Sequence, residues 1–396
     1  MKKILKWISI LLFALLLTNL PPFFSHSTIY DISDNLRIVK IPPLEQRILS
    51  QMSLEQKIGQ LFVFGFNGTS INKNITQLIQ NQYIGGVLLL EPNIENNNQL
   101  SNLLSDIQNI SYIPLLVCID QEGGIVARLS GDKILTKAQK DMKNEQEAYT
   151  ISNQRGEILS SLGINTNLAP VVEYITSSKS FMYQRVFRGT KEEVALKSKA
   201  AIQGYIDSGI VSVAKHYPGH SNSSPDSHYS LPKVNITTQQ WDEYIFPFKY
   251  LVEEKIPDVI MVGHILYPNI DSKPSTISSE IIQKRLRQDL GYSGVIITDD
   301  MEMDSIEKVG EYNQIAKEAL LAGVDILLYS GIPNVQRDVY QYIFESTSNG
   351  EIAESIINEK VLRILSLKIK YGLIDSSILQ PQEEEEVLSE WQRALL

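Results

Sequence analysis

Cysteine is almost absent from this 396-residue chain. Cys118 is the only one, so there is no internal disulfide framework, no CxxC pair and no cysteine-rich metal centre. Its setting in Pro114-Leu115-Leu116-Val117-Cys118-Ile119 reads as a buried strand, where a thiol packs as a small apolar group. Basic charge is also short: 36 Lys and Arg stand against 46 Asp and Glu, a formal net charge of -10. A surface of that sign repels phosphate backbones and anionic lipid heads, so no nucleic-acid partner is expected and a neutral or weakly charged ligand fits better. Long apolar runs are missing apart from Trp7 to Leu20, which is shorter than the about 20 residues of an ordinary spanning helix. Lys2, Lys3 and Lys6 precede it, the basic and apolar order of a secretory signal. No small-x-small cleavage pattern follows in Thr18 to Phe24, so a cleaved leader and a retained membrane anchor stay open. Either fate makes the protein extracytoplasmic. A lipid-anchored form is disfavoured, because the sole cysteine lies far from this region.

What is present is a large α/β core, with 43% hydrophobic residues. Residues 1–25 are assigned to the signal or anchor, 26–43 to a linker, 44–375 to one catalytic domain and 376–396 to an acidic tail containing Glu383 to Glu386, read as solvated. Inside the domain, strand-like apolar runs alternate with amphipathic helical stretches such as Lys191 to Asp207 and Tyr312 to Ala322. Eight runs qualify as strands: Gln60 to Phe66, Gly85 to Leu90, Leu115 to Ile119, Asn165 to Ala169, Val211 to Ala214, Val259 to Val262, Val295 to Thr298 and Asp325 to Tyr329. That count predicts a single (β/α)8 barrel of the TIM type with C-terminal helices, rather than an open doubly wound sheet. Fixed-period repeats and a second Gly/Ser-linked module are both lacking.

In such a barrel the reactive groups gather where the strands end. The third run ends in Asp120-Gln121-Glu122-Gly123-Gly124, the fifth in Lys215-His216-Tyr217-Pro218-Gly219-His220, the sixth in Gly263-His264 and the seventh in Asp299-Asp300. Four of the five histidines, His216, His220, His228 and His264, fall at or beyond those ends. Of the adjacent carboxylates Asp299 and Asp300, at most one can face the mouth. Asp299 is taken as the reactive one and Asp300 as a cap for the chain that follows. Asp226-Ser227-His228 sits in a polar Gly/Ser/Pro loop, where a carboxylate two residues from an imidazole can orient the ring and raise its basicity. His216, His220, His228 and Asp226 also supply metal-ligand atom types. Pro218-Gly219 separates the first two histidines, however, unlike the helical His pair of metalloproteases, so neither a metal nor a cofactor is expected.

The run Lys215 to His228, Lys-His-Tyr-Pro-Gly-His-Ser-Asn-Ser-Ser-Pro-Asp-Ser-His, resembles the signature of family 3 glycoside hydrolases, in their β-N-acetylglucosaminidase branch. The likeness extends from about Leu49 to Leu373 and includes Ile84-Gly85-Gly86-Val87, Asp120 to Leu129, Asn167 to Val171, Arg185-Val186-Phe187 and Ile297 to Met301. It implies Asp299 as nucleophile, His228 as general acid/base and Asp226 as its orienting partner. Asp120, Arg128, Arg185, Lys215 and His216 would bind the sugar, and the reaction would retain configuration through a glycosyl-enzyme. The implied substrate is a terminal β-linked N-acetylglucosamine on peptidoglycan-type fragments. A β-glucosidase or phosphorolytic enzyme of the same family and a noncatalytic wall-binding protein are the alternatives. Three positions depart from the family pattern: Ser221 for glycine, Ile125 for a frequent arginine, and Glu173 for aspartate after Ala-Pro-Val.

Overall fold

The computed structural model describes residues 42–222, 226–227 and 229–379. The signal or anchor, nearly all of the linker and most of the tail lie outside them. No helix among the described residues is long and apolar enough to cross a membrane. The chain divides into two compact units. One comprises residues 1–50 and 379–396, and its described part contains most of the helix Leu44–Gln51. The other, Gln51–Ile378, holds the site.

That larger unit is a closed barrel of eight parallel strands. They are β1 (Phe62–Gly65), β2 (Gly86–Leu89), β3 (Leu116–Ile119), β4 (Thr166–Asn167), β5 (Val211–Tyr217), β6 (Val259–Val262), β7 (Val295–Asp300) and β8 (Ile326–Tyr329). Each strand pairs with the next in sequence, and β8 returns to β1. All eight lie within or across the runs expected from the sequence. Their side chains are buried almost throughout, because helices cover the outer face of a parallel barrel while side chains from the strands fill its inside. Cys118 is among them, and burial pushes its thiol up to about 12. This fits a packing role better than a reactive one.

Two strands are longer at their C-terminal ends than apolar content implies, and both carry an extra residue there. Between β5 and β6 the partners step from Ala214↔Ile260 to Tyr217↔Val262, so the bulge falls on Lys215 and His216. Between β7 and β8 they step from Ile297↔Ile326 to Asp300↔Leu328, which puts the second bulge on Thr298 and Asp299. A bulge re-aims the side chains it carries. Polar residues thereby leave the barrel's regular in-out alternation at the two places where the sequence concentrates its charges.

At the opposite, N-terminal end of β8 the buried Asp325 carboxylate is fully engaged. It pairs with Arg287 at 2.6 Å and Arg363 at 2.8 Å and accepts the Ile296 N–H at 2.8 Å. This knot fastens helices to the barrel floor, away from the mouth.

Candidate active site

The segment after β3 turns back in a short hairpin, Gln121–Gly123 against Val126–Ala127. Gln121 points away from the mouth, where its amide donates to the carbonyls of Leu129 and Leu135 and accepts the Leu129 N–H. Arg155, reaching in from the helix Glu145–Ser161, is 1% exposed and donates to the carbonyls of Glu122, Ile134 and Lys137. Gly123 has φ 88°, and a Cβ there would collide with the Lys137 carbonyl. Only glycine fits this bend.

With Gln121 facing out, Asp120 and Glu122 face the same way, as i and i+2 do in extended chain. Lys215 Nζ lies 2.6 Å from Asp120 Oδ1 and 2.7 Å from Glu122 Oε1. Arg185 forks onto Glu122, Nε to Oε2 at 3.0 Å and Nη2 to Oε1 at 2.7 Å. Burial alone would raise the Glu122 pKa, but Arg185 and Lys215 outweigh it and hold the carboxyl well below its usual range. Burial opposes charge on Lys215 too, and Asp120 and Glu122 together keep its pKa above the ordinary value. Two cations and two carboxylates thus form a fixed, ionised floor. Arg128 sits further out, 3.7 Å from carboxylate oxygens of both Asp120 and Glu91, and the neighbouring Ile125 is 69% exposed.

His216 joins this floor through Arg185, whose Nη2 is 3.3 Å from His216 Nε2. A guanidinium only donates, so Nε2 accepts and the ring proton sits on Nδ1, which is 2.7 Å from Glu173 Oε1. Burial lowers the His216 pKa and outweighs the opposing pull of Glu173 and Asp299, so the ring is neutral. The same Glu173 carboxylate meets His220 Nδ1 at 3.1 Å. Glu173, His216 and His220 place ligand-type atoms within 4.8 Å of one another, but the His216 lone pair already faces Arg185, and its Nδ1–H fills the space a metal would need. The cluster is built as a hydrogen-bond network.

Asp299 stands at the β7 bulge, partly exposed. Burial pushes its pKa up, yet His216, His264, the Asp300 N–H and Lys215 together bring it below the usual carboxylate value. The Asp300 N–H donates to Oδ1 at 2.9 Å. His264 backs this segment: its Nε2 lies 2.9 Å from the Asp300 carbonyl and its Nδ1 2.6 Å from Thr276 Oγ1. Asp300 itself accepts from the Glu302 and Ser330 N–H groups at 3.1 and 3.0 Å, so it caps the turn rather than facing the mouth. Burial, with Glu302 and Asp299 adding to it, raises the Asp300 pKa to about 7. Its folded pKa exceeds the unfolded value, so its proton stabilises the fold at low pH and that contribution fades as pH rises from about 4 through about 7. Asp300→Asn keeps the oxygen that accepts both N–H groups. Activity within about fivefold of wild type is expected in steady-state assays, with a flatter stability profile across that pH window in thermal melts.

The structure therefore brings Asp120, Arg185, Lys215 and His216 into one cluster, with Arg128 at its edge and Asp299 electrostatically coupled to it. Asp226 lies in a turn where the Tyr229 and Ser230 N–H groups meet its carbonyl. Lys308, from the chain following β7, donates to the Tyr229 carbonyl at 3.1 Å, so this turn rests against the β7 side of the mouth. His228 lies outside the described residues. Sequence reasoning missed Glu122, although its i+2 spacing from Asp120 was a usable signal, and it noted Glu173 only as a departure from pattern.

A parallel eight-stranded barrel with carboxylates, cations and imidazoles converging at the C-terminal strand ends has the layout of a (β/α)8-barrel enzyme. The chain belongs to glycosyl hydrolase family 3, whose N terminal domain model matches residues 53–367. It is 32% identical over 271 residues to a Beta-hexosaminidase of Shewanella frigidimarina, covering 66% of this chain and 79% of that one. It is 28% identical over 342 residues to Beta-hexosaminidase A of Pseudoalteromonas piscicida, covering 78% of this chain and 57% of the relative. Among solved structures, the family 3 beta-N-acetylglucosaminidase from Paenibacillus sp. str. FPU-7 superposes with a TM-score of 0.76 at 32% identity, covering 81% of this chain and 63% of that one. The chain thus spans less than two thirds of the last two relatives' lengths.

Proposed function

We propose that the protein is a retaining β-N-acetylglucosaminidase that removes terminal β-linked N-acetylglucosamine by double displacement. The observation that carries this reading is Asp299, a partly exposed carboxylate with a lowered pKa at the barrel mouth, beside a floor of fixed charges suited to sugar hydroxyls. In this mechanism Asp299 attacks the anomeric carbon and the glycosidic bond breaks, while His228, oriented by Asp226, gives its proton to the leaving oxygen. Water then enters, His228 takes a proton from it, and Asp299 is released. Asp120, Lys215, Arg185 and His216 hold the sugar, with Arg128 at the edge of the same cluster. Histidine, whose unperturbed pKa is near 6.5, can give a proton as imidazolium in the first step and take one as neutral imidazole in the second, both near neutral pH.

The names of the relatives support the N-acetyl sugar. The basic and apolar N-terminal sequence supports a site of action outside the cytoplasm, on peptidoglycan-type fragments, with the first segment either cleaved or retained as an anchor. Aryl β-N-acetylglucosaminide and aryl β-glucoside, each assayed with and without phosphate, test the reading. Free N-acetylglucosamine as product, at a kcat/KM on the order of 10²-fold or more above the glucoside, is the expected result. Preference for the glucoside or formation of a glycosyl phosphate would contradict it.

A further inference from the structure

Glu173 has no role in the mechanism above, yet it is 2% exposed and is the most heavily shared carboxylate beside the site. It is carried there by the chain after β4, which runs along β5: the Val172 N–H donates to the Lys215 carbonyl at 2.8 Å, and the Lys215 N–H to the Pro170 carbonyl at 3.1 Å. From that position Oε1 takes the His216 Nδ1–H at 2.7 Å and the His216 backbone N–H at 3.3 Å. Oε2 takes the His220 backbone N–H at 2.5 Å and lies 3.1 Å from His220 Nδ1. Burial would raise the pKa of this carboxyl, but His220 and His216 hold it well below the usual range. It is an ionised group satisfied from two directions.

One direction is the sugar floor, because His216 passes the contact on to Arg185 and thence to Glu122. The other is the root of the β5 loop. Gly219, next to His220, has its carbonyl held by the Tyr244 hydroxyl at 2.6 Å and by the Tyr267 hydroxyl. Asn222 Oδ1 accepts the Thr176 and Ser177 N–H groups at 2.7 and 2.9 Å. The stretch 173–177 therefore grips the β5 loop at both His220 and Asn222, just before the chain reaches Asp226. An aspartate, one methylene shorter, would have to give up one side or the other.

We infer that Glu173 is a positioning residue that locks the root of the β5 loop to the sugar-binding floor, and so sets where the loop's proton donor stands relative to the bound sugar. This rests on the proposed reading of the loop as the source of the proton. Loss of a positioned acid affects bond cleavage in proportion to how much the leaving group needs a proton. A structural defect lowers all substrates alike.

The test compares kcat/KM for 2,4-dinitrophenyl and phenyl β-N-acetylglucosaminides in wild type, Glu173→Gln and Glu173→Asp. The expected result is a loss at least about tenfold greater on the phenyl substrate in both variants. Equal losses on the two substrates would overturn the inference. Should neither Glu173 variant fold, Asn222→Ala carries the test, since its side chain is exposed and it loosens the same root. It is expected to show the same asymmetry at a smaller size, and equal losses again overturn the inference. His228→Ala separates the two layers. Strong leaving-group dependence there with none in the Glu173 variants refutes only the role of Glu173, whereas no dependence in His228→Ala removes the proton donor and this inference with it.

Discussion

Replacing Asp299 by alanine or asparagine is expected to lower kcat/KM toward aryl β-N-acetylglucosaminides by on the order of 10⁴-fold or more, with the fold intact. The size follows from the role. A nucleophile that forms the glycosyl-enzyme cannot be replaced by water within the same geometry, and the neighbouring Asp300 is no substitute, because its carboxylate is bound to the Glu302 and Ser330 N–H groups. Stability should fall little, since Asp299 is partly exposed and its carboxylate accepts the N–H of the very next residue, Asp300. Azide added to Asp299→Ala should restore turnover and give the α-glycosyl azide, because the anion enters from the face the carboxylate has vacated. Steady-state kinetics and product analysis check both expectations. The contrast between Asp299→Asn and Asp300→Asn separates attack from capping in two residues that are adjacent in sequence.

Glu122→Ala is expected to have the largest effect on stability. The carboxylate is 1% exposed and neutralises the buried Lys215 and the largely buried Arg185. Removing it leaves Arg185 with a lost fork and Lys215 with Asp120 alone. Breaking a buried pair in this way costs about 3–5 kcal/mol, or a fall of roughly 5–15 °C in Tm for a domain of this size. The pH dependence has a definite sign. The folded Glu122 pKa is depressed below the unfolded value of 4.5, so its contribution is complete above the unfolded pKa and is lost as pH falls below it toward the folded one. Glu122→Gln should therefore melt lower than wild type at pH 7 and lose less further stability on acidification. Thermal melts between pH 3 and pH 7 read this directly. Sugar affinity should fall as well, since Arg185 and Lys215 lose the group that orients them.

Much of the barrel was legible because its strands are continuous apolar runs, a pattern that survives without knowledge of what packs against them. The short strand Thr166–Asn167 was found inside a longer run for the same reason. The bulges were not legible. An extra residue in β5 or β7 exists only relative to the register of a neighbouring strand, and no single run of sequence carries that information. The wider π turns over Glu280–Asp289 were not legible either, since apolar spacing signals a helix without fixing which hydrogen bonds it makes. Within the site, Asp299, Asp120, Lys215 and His216 stood out because charges at the ends of apolar strands have few structural explanations. Glu122 was hidden in a run that reads as an acidic loop until the hairpin turns it inward. Arg155 was hidden in an ordinary helix, and its work of holding the hairpin's carbonyls depends on a loop folding beneath it. Glu173 was visible only as an oddity, and its two imidazole partners gave it meaning.

The central claim is that Asp299 forms a covalent bond to the sugar. A slow glycosyl-donor analogue with a dinitrophenyl or fluoride leaving group should label the protein with one glycosyl unit. Proteolysis and mass spectrometry should then place that unit on the peptide bearing Asp299, and Asp299→Ala should remain unlabelled. A label on any other residue, or turnover with no covalent species and inverted product, would contradict the account.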